Sequence, residues 1–443
     1  MAAIHRPLLS GLAAGVLALA LALTTASCRR EPRASGALAH DAYLWQRAWT
    51  PEVKEAVHSQ ATAFGTLSIL FGEIGWASGS PKFVRVASDA GVLREIGPST
   101  RIGIALRVGP FSGPFEADDA TARFLRSTAS DCLRTAREAG IEVAEFQIDF
   151  DCPDRRLDGY RVWVAALRRD LAPVPLILTA LPSWLNQRTF PALAKASDGF
   201  VLQVHSLARP ANAQAPAILC DPASARRSVD RAARVAPGVP FRVALPTYGY
   251  LLAFDADGDF LGASAEGPAP ARPRGTLYRE LNADPIAMAQ LVADWTGDRP
   301  ASMTGLIWYR LPVAGDRLNW RWPTLETVMA GTAPSARLVA TPESPEPGRD
   351  IGPGLIEVAL TNRGSANFQG PVAIRVRWTG AQRLGADGIR GFEAIYQGSD
   401  EVLFTNAICR LPAGEGGRIG WVRLDSHAEI TVEQIVPPRR PEP

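Results

Sequence analysis

The chain has 443 residues, and its 47 Lys and Arg against 45 Asp and Glu give a formal net charge of +2. This length is too great for one typical domain and suits two or three. The balanced charge provides no electrostatic attraction toward nucleic acid, so we expect no nucleic-acid partner. Hydrophobic residues at 47% and charged residues at 21% exclude an intrinsically disordered chain.

The N-terminal segment has the pattern of a bacterial lipoprotein signal. An apolar run, Leu8 to Leu23, follows a short positive stretch and is shorter than the about 20 residues of a membrane-spanning helix. Small residues then lead directly to Cys28, so we predict removal of residues 1–27 and a lipid on Cys28. Ordinary secretion and a retained anchor are the alternatives. Residues 28–40 would form a polar tether, and the protein would lie in the cell envelope, lipid-anchored to a membrane and facing the periplasm or the exterior.

Four further cysteines remain in the mature chain, Cys132, Cys152, Cys220 and Cys409. An oxidising compartment allows disulfides, but buried free thiols fit equally well, and the sequence selects no pairing. No CxxC pair or His–Cys cluster occurs among the 5 histidines and 5 cysteines. We therefore expect neither a metal nor a cofactor.

Strands and helices alternate from residue 41 to 332. Strands are predicted at 42–47, 66–74, 101–108, 143–151, 176–181, 199–205, 241–248 and 304–310. Helices with one apolar face separate most of them, as at 118–139, and a long insertion follows the seventh strand at 251–282. Eight such units predict an α/β fold of the (β/α)8 TIM-barrel type. An open doubly wound sheet is the rival, but no Gly-rich phosphate loop follows the first strand.

The pattern changes after residue 332. Short segments of alternating polar and apolar residues occur at 355–361, 372–378, 402–408 and 418–424, and no helical periodicity is visible. Residues 333–436 are therefore predicted to form a small all-β sandwich. Residues 437–443 form a polar, Pro-rich tail that we predict to be disordered.

The fourth predicted strand has one wholly polar face. Glu145, Gln147, Asp149 and Asp151 alternate with apolar residues, and alternate residues of a barrel strand face the interior. Burial of unpaired carboxylates is costly, and barrel active sites lie at the carboxyl ends of the strands. Asp149 and Asp151 are therefore candidate catalytic residues, whose mutual repulsion would raise one pKa. The alternative is that the strand ends early and both carboxylates are solvated.

The same alternation selects further residues at the mouth of the predicted barrel. Glu73 ends the second strand and is a candidate second catalytic carboxylate. Polar or ionisable candidates for substrate binding are Arg107, Gln147, Gln203, His205 and Tyr248. Trp45, Trp184 and Trp308 fall near the ends of barrel strands or in the loops after them. They are aromatic candidates for substrate binding, because flat aromatic faces stack on sugar rings.

Three segments carry a resemblance to known families. The segments Asp41–Pro51, Gln147–Asp151 and Leu245–Gly249 resemble the uncharacterised bacterial family called domain of unknown function 3142, over roughly residues 42–330. More distantly, the chain resembles the family 18 glycosidases, which have a DxxDxDxE motif on the fourth strand and a Pro-x-Tyr-Gly motif on the seventh.

The match to the glycosidase motifs is partial. Asp149 and Asp151 match the last two aspartates of the fourth-strand motif, and Tyr248 lies in the seventh-strand pattern. Phe146 replaces the first aspartate, and Pro153 occupies the position of the acid glutamate. The resemblance therefore implies a glycosidase-like barrel without the mechanism of that family.

Three functions are compatible with these observations. The first is hydrolysis of a cell-envelope or extracellular polysaccharide, with Asp149 or Asp151 as acid and the other aspartate or Glu73 as base or nucleophile. The second is glycan binding by a scaffold lipoprotein that has lost catalysis. The third, a metal-dependent deacetylase or an esterase, lacks a His-rich ligand set and a Gly-x-Ser-x-Gly motif. The sequence does not indicate an oligomeric state.

Overall fold

The computed structural model describes residues 31–77, 79–265, 271–344 and 354–436. The predicted signal peptide with Cys28 and the predicted tail at 437–443 lie outside the described residues. In the part of the chain that is described, no helix is both long and apolar enough to cross a membrane.

Eight parallel strands close into a barrel, which confirms the predicted fold class. The strands are β2 (Ala39–Leu44), β3 (Thr66–Ala77), β5 (Arg101–Val108), β6 (Val143–Phe150), β7 (Leu176–Ala180), β8 (Gly199–Gln203), β9 (Phe241–Pro246) and β14 (Met303–Tyr309). Each strand pairs with the next one in this order. The first strand, β2, pairs with both β3 and the last strand, β14, and these pairings close the barrel. The predicted strands lie within a few residues of those observed, and the largest shift is at the first strand.

Helices cover the outside of the barrel. They are α1 (Pro51–Gln60), α2 (Ala90–Ile96), α3 (Ala120–Glu138), α4 (Leu157–Leu171), α5 (Phe190–Ala196), α6 (Pro222–Val235), α7 (Pro285–Gly297) and α8 (Trp322–Met329). Aspartates cap several of them, because an aspartate carboxylate accepts from the unpaired N–H groups of the first turn. Asp221 accepts from Ser224 N, and Asp284 accepts from Ile286 N and Ala287 N.

The segment expected to be a tether is bound to the barrel instead. Arg33–Ala34 forms strand β1, which pairs with β13 (Arg299–Pro300). The Arg33 guanidinium donates to Asp298 at 2.8 Å and to Asp230 at 2.7 Å. The tether prediction for residues 28–40 is therefore wrong from residue 31 onward, because backbone pairing and two carboxylates hold this stretch against the barrel.

Two insertions extend the barrel. The stretch after the second strand, for which no element was predicted, contains β4 (Ser80–Arg85), antiparallel to β3, and helix α2. The long insertion after β9 is a three-stranded antiparallel sheet of β10 (Gly249–Phe254), β11 (Phe260–Ser264) and β12 (Leu277–Asn282).

The C-terminal part consists of two four-stranded antiparallel sheets. The first has the order β15 (Leu338–Glu343), β16 (Leu355–Asn362), β21 (Gly416–Leu424) and β18 (Arg383–Gly388). The second has the order β19 (Glu393–Tyr396), β20 (Glu401–Leu411), β17 (Phe368–Thr379) and β22 (Glu429–Ile435). Their buried side chains form a hydrophobic cluster of their own, separate from that of the barrel.

The C-terminal sheets contact the barrel through the start of α8. Thr324 Oγ1 donates to Ser365 O at 2.6 Å, and Arg321 forms an ion pair with Glu415 at 2.8 Å. We propose that the domain boundary lies between the end of α8 and the start of β15. The four cysteines after Cys28 are all buried and unpaired.

A buried ionic and hydrogen-bonded network fills the barrel interior below its mouth. Arg242 on β9 binds Asp41 on β2 at 2.6 Å and both carboxylate oxygens of Glu145 on β6 at 2.8 and 2.9 Å. The Gln147 amide donates to Glu145 Oε1 at 2.6 Å and to Ser68 Oγ at 2.7 Å. Two carboxylates and one guanidinium are thus paired in a place where barrels usually pack aliphatic side chains.

We predict that Arg242→Met destabilises the fold by about 3–5 kcal/mol, because removal of one partner leaves buried charge uncompensated. Arg242 lowers the pKa of Asp41, so without it Asp41 would take up a proton more readily and the loss should be smaller at acidic pH. Urea unfolding at several pH values measures this. Arg134→Met is the matched control, because Arg134 pairs only on the surface, with Asp131 and Glu138, and should cost less than about 1 kcal/mol. Equal losses in the two variants would contradict the prediction.

Candidate functional site

A cavity of about 790 Å3 opens at the carboxyl ends of the barrel strands. Its lining includes four charged residues and a group of aromatic side chains. The charged residues are Arg47, Arg107, Asp149 and Asp151. The aromatic residues and the histidine are Tyr43, Trp45, His205, Tyr248, Tyr250 and Tyr309. The β11 end of the three-stranded insertion adds Ala263, Ser264 and the following Ala265 to one wall.

Asp149 lies at the centre of this cavity. It is the seventh residue of β6, with Arg107 of β5 as its register partner. Thr179 Oγ1 donates to Asp149 Oδ1 at 2.8 Å, and Gln203 Nε2 donates to the same oxygen at 3.3 Å. Burial raises the pKa of Asp149, and the charge of Asp151 raises it further, against the opposing effect of the two hydrogen bonds and Arg107. The side chain therefore holds its proton to a higher pH than a solvated aspartate.

Asp151 follows the end of β6 and is exposed to solvent. Both aspartates line the same cavity, so the alternation of the fourth strand brings them together as the sequence indicated. The two differ in environment, because Asp149 is half-buried among hydrogen-bond donors and Asp151 faces water. A half-buried carboxyl group with a raised pKa beside a second carboxyl group is the arrangement that acid–base catalysis uses.

Glu73 does not line the cavity. Arg47 binds its carboxylate with two nitrogens, at 2.8 Å to Oε1 and 3.3 Å to Oε2, and Arg107 Nη1 lies 4.0 Å from Oε1. These contacts hold Glu73 in an ion pair at the rim. The structure therefore assigns Glu73 to the positioning of two arginines and gives no support to a role as base or nucleophile.

Aromatic rings form a continuous wall around Tyr309, the last residue of β14. The centroid of its ring lies 5.6 Å from that of Trp45, 5.8 Å from Tyr43, 5.3 Å from Tyr248 and 5.6 Å from His205. Such contacts favour edge-on and tilted geometry and make the wall rigid. A rigid aromatic wall in the same cavity as a carboxyl group suits a ligand that has both a flat face and hydroxyl groups.

His205 is a neutral member of this wall. Burial lowers its pKa to about 4, so the imidazole is uncharged at neutral pH. Its Nδ1 lies 3.4 Å from the Tyr248 hydroxyl, which is 3.5 Å from the Tyr250 hydroxyl. Within the described residues, His205 Nε2 is buried and has no hydrogen-bond partner. A bound ligand could supply that partner.

Two tryptophans expected at the site lie elsewhere. Trp308 is fully buried on the helix side of β14, where its Nε1 donates to His40 Nδ1 at 3.1 Å. Trp184 is fully buried beside Tyr160, and its Nε1 donates to Cys152 O at 3.1 Å. The prediction for Trp308 was wrong because neighbouring strand residues face opposite ways, and β14 directs Tyr309 into the barrel. The prediction for Trp184 was wrong because the short 3-10 helix Pro182–Asn186, which follows β7, packs its indole into the core.

Gln147 faces the barrel interior, as predicted, but it does not line the cavity. Its side chain is fully buried under the cavity, where Oε1 accepts from the Tyr43 hydroxyl at 2.7 Å. The remaining site residues predicted from the sequence, Arg107, Gln203, His205, Tyr248 and Trp45, all line the cavity.

Sequence reasoning missed Tyr43, Arg47, Thr179, Tyr250 and Tyr309. Tyr43 lies two residues before Trp45 and on the same strand face, so alternation could have found this residue. Tyr309 needed the correct register of the last strand. Tyr250 lies on β10 of the insertion, and the sequence did not show that this insertion folds into a three-stranded sheet next to the cavity. In the described part of the chain, no group of three or more His, Cys, Asp or Glu side chains could hold a metal ion.

Comparison with known proteins confirms the family resemblance over part of the chain. Residues 112–314 match the family model "Domain of unknown function (DUF3142)". This range includes Asp149, Asp151 and Tyr248 but not the first motif, Asp41–Pro51. Among curated proteins, none matches the sequence significantly.

Several solved structures have a similar fold at low identity. The Bacillus cereus spore cortex-lytic enzyme SleL is 13% identical, with a TM-score of 0.48, over 68% of this chain and 75% of that one. A chitinase from Chromobacterium violaceum ATCC 12472 is 16% identical, with a TM-score of 0.46, over 66% and 99%. A family GH18 chitinase from Chromobacterium violaceum is 11% identical, with a TM-score of 0.40, over 89% and 90%. At this level of identity, the activities of these enzymes cannot be assigned to the present chain.

We predict that Asp149→Asn makes stability less dependent on pH. Folding raises the pKa of this carboxyl group above its unfolded value of about 3.9. The protonated group therefore contributes stability below that pH. This contribution is lost as the pH rises through the folded pKa. The amide does not titrate, so relative to the native protein the variant should gain stability as the pH rises above about 4. Urea unfolding across this range tests the sign. The control is the exposed Asp131→Asn, and a pH-independent difference for Asp149→Asn would contradict the prediction.

Proposed function

We propose that the barrel binds a polysaccharide in the cavity at its mouth and hydrolyses a glycosidic bond there. The observation that carries this proposal is Asp149, a half-buried carboxyl group with a raised pKa beside a second carboxylate and opposite an aromatic wall. Glycosidic hydrolysis commonly needs two such carboxyl groups, one of which holds a proton at working pH. The aromatic wall would take the faces of the sugar rings.

In this mechanism the Asp149 carboxyl donates its proton to the glycosidic oxygen as the bond to the anomeric carbon breaks. Asp151 either accepts a proton from the attacking water or attaches to the anomeric carbon itself. In both cases water supplies the new hydroxyl group, and exchange with solvent restores the starting protonation. Thr179 and Gln203 hold one oxygen of Asp149 through their hydrogen bonds and direct the other toward the ligand.

A second candidate function is glycan binding without catalysis. Pro153 favours it, because this residue stands where the fourth-strand motif of family 18 glycosidases has its acid glutamate. The same cavity, wall and hydrogen-bonding groups would then serve affinity alone. The lack of a metal-holding group among the described residues gives a metal-dependent hydrolase no support.

The two candidates predict different results for Asp149→Asn and Asp151→Asn. If the barrel is catalytic, each change should reduce turnover by about 10²-fold or more, the usual scale for loss of a positioned acid or base. The assay is release of reducing ends from a panel of envelope and extracellular polysaccharides. Asp131→Asn, far from the cavity on α3, is the matched control. A native protein that binds a glycan but releases no product would reject hydrolysis and support the binding function.

We further propose that a lipid on Cys28 anchors the protein and that the cavity faces away from the membrane. Only residues 29 and 30 separate Cys28 from Glu31, and Glu31 Oε1 lies 3.3 Å from its donor, Ser302 Oγ. The next residue, Pro32, accepts from Ala301 N at 2.7 Å. Three residue steps span about 11 Å at most. Ser302 directly precedes β14, so the lipid would lie close to the amino ends of the strands, opposite the cavity.

We predict that Cys28→Ser moves the protein from the membrane to the soluble fraction or leaves the precursor uncleaved, because serine provides no thiol for the lipid. Membrane fractionation and the mass of the mature chain measure this outcome. Ser27→Ala is a suitable control, since it keeps a small residue before the cysteine. Unchanged fractionation and mass in Cys28→Ser would reject the lipid anchor.

A further inference from the structure

The outer face of the first C-terminal sheet carries a second pocket, of about 380 Å3. It lies across the three adjacent strands β16, β21 and β18, far along the chain from the barrel cavity. Its lining residues are Leu355, Glu357, Leu384, Gly385, Trp421 and Arg423. We call these six residues the Trp421 pocket.

The indole ring of Trp421 lies along the sheet surface. The register pairs Trp421 with Glu357 on one side and with Asp387 on the other. The far edge of the ring reaches Gly385, where an added Cβ would lie 3.6 Å from Cη2 and Cζ3. The ring therefore reaches from β21 across to β18, and Trp421 remains partly exposed. Leu384, exposed by 65%, extends the apolar surface.

Polar groups of opposite charge border this surface. Arg423 shares the outer face with Trp421, and within the described residues no ion pair or side-chain hydrogen bond engages its guanidinium. Glu357 faces Trp421 from β16 and has an ion pair with Arg418 at 2.9 Å. The lining therefore places the Arg423 guanidinium at the border of the ring as a hydrogen-bond donor, beside a carboxylate that Arg418 engages. An aromatic ring with a hydrogen-bonding group at its border suits a polyhydroxylated ring.

We propose that the Trp421 pocket is a second, non-catalytic glycan-binding site that stacks a sugar ring of the polysaccharide on Trp421. The proposal rests on the proposed function of the barrel for its choice of ligand class. A flat aromatic face with hydrogen-bonding groups at its border recognises rings without reading one fixed sequence of them. The alternative occupant, a second copy of this chain, fits poorly, because six residues are few against the roughly 20–30 per partner of a stable interface.

The position of the C-terminal sheets relative to the cavity supports one shared ligand. They contact the barrel at Arg321 and Thr324, at the start of α8. That helix follows the carboxyl end of β14, so its start lies at the cavity end of the barrel. Trp421 is six residues beyond Glu415 in the chain, or about 20 Å along an extended strand. A polymer chain can therefore reach both sites, whereas a short oligosaccharide occupies only the cavity.

The test uses the full chain in detergent with Trp421→Ala and Trp421→Phe. We expect Trp421→Ala to weaken binding to an insoluble polysaccharide that the native protein binds by about tenfold, and Trp421→Phe to retain most of it. Turnover of a short soluble oligosaccharide of the same glycan should stay unchanged in both. Ile408→Ala is the control, because Ile408 is 72% exposed on the other sheet. Thermal unfolding and sedimentation report folding and oligomeric state.

The outcomes separate this inference from the function of the barrel. Polymer binding by Trp421→Ala equal to that of the native protein overturns the second site, while oligosaccharide turnover still supports the catalytic cavity. Loss of polymer binding in a protein that cleaves nothing supports the second site and rejects hydrolysis. A change of oligomeric state in Trp421→Ala shows that a second copy covers the pocket and overturns the proposal. A native protein that binds no glycan rejects both.

Discussion

The pairing of Arg242 with Asp41 and Glu145 is the interaction on which the cavity depends. Two carboxyl groups and a guanidinium in a barrel interior are tolerated only if they pair, since an isolated charge there costs far more than folding can offset. Here one guanidinium contacts both carboxylates at 2.6 to 2.9 Å. The network fixes three strands, β2, β6 and β9, relative to one another at the level just below the mouth.

The geometry of the cavity floor follows from this network. Glu145 accepts from the Gln147 amide, and Gln147 in turn accepts from the Tyr43 hydroxyl at 2.7 Å. Tyr43 contacts Trp45 and Tyr309 by their ring edges, with centroids 5.3 and 5.8 Å away. The aromatic wall is therefore oriented from below by hydrogen bonds. Asp149, two residues after Gln147, stands above this floor, where it is half-buried but reachable.

The sequence was informative where a pattern is local. The polar face of the fourth strand identified Asp149 and Asp151, because alternation along one strand requires no knowledge of its neighbours. The prediction failed at Trp308 because an error of one residue in the last strand exchanges its two faces. The sequence analysis did not identify Arg242, whose partners are 201 and 97 residues away in the chain. Their proximity depends on closure of the barrel, which no local pattern contains.

The direction of the strands gives the whole protein a polarity. The segment from Glu31 to Arg33 is bound next to the start of β14, and the C-terminal sheets are bound at the start of α8, close to where β14 ends. The length of β14 thus separates the attachment of the N-terminal segment, next to which the proposed lipid would lie, from the contact with the C-terminal sheets. With the proposed lipid on Cys28, this order would put the barrel base nearest the membrane. The cavity, at the opposite ends of the strands, would then face away from the bilayer and be open to the proposed polysaccharide.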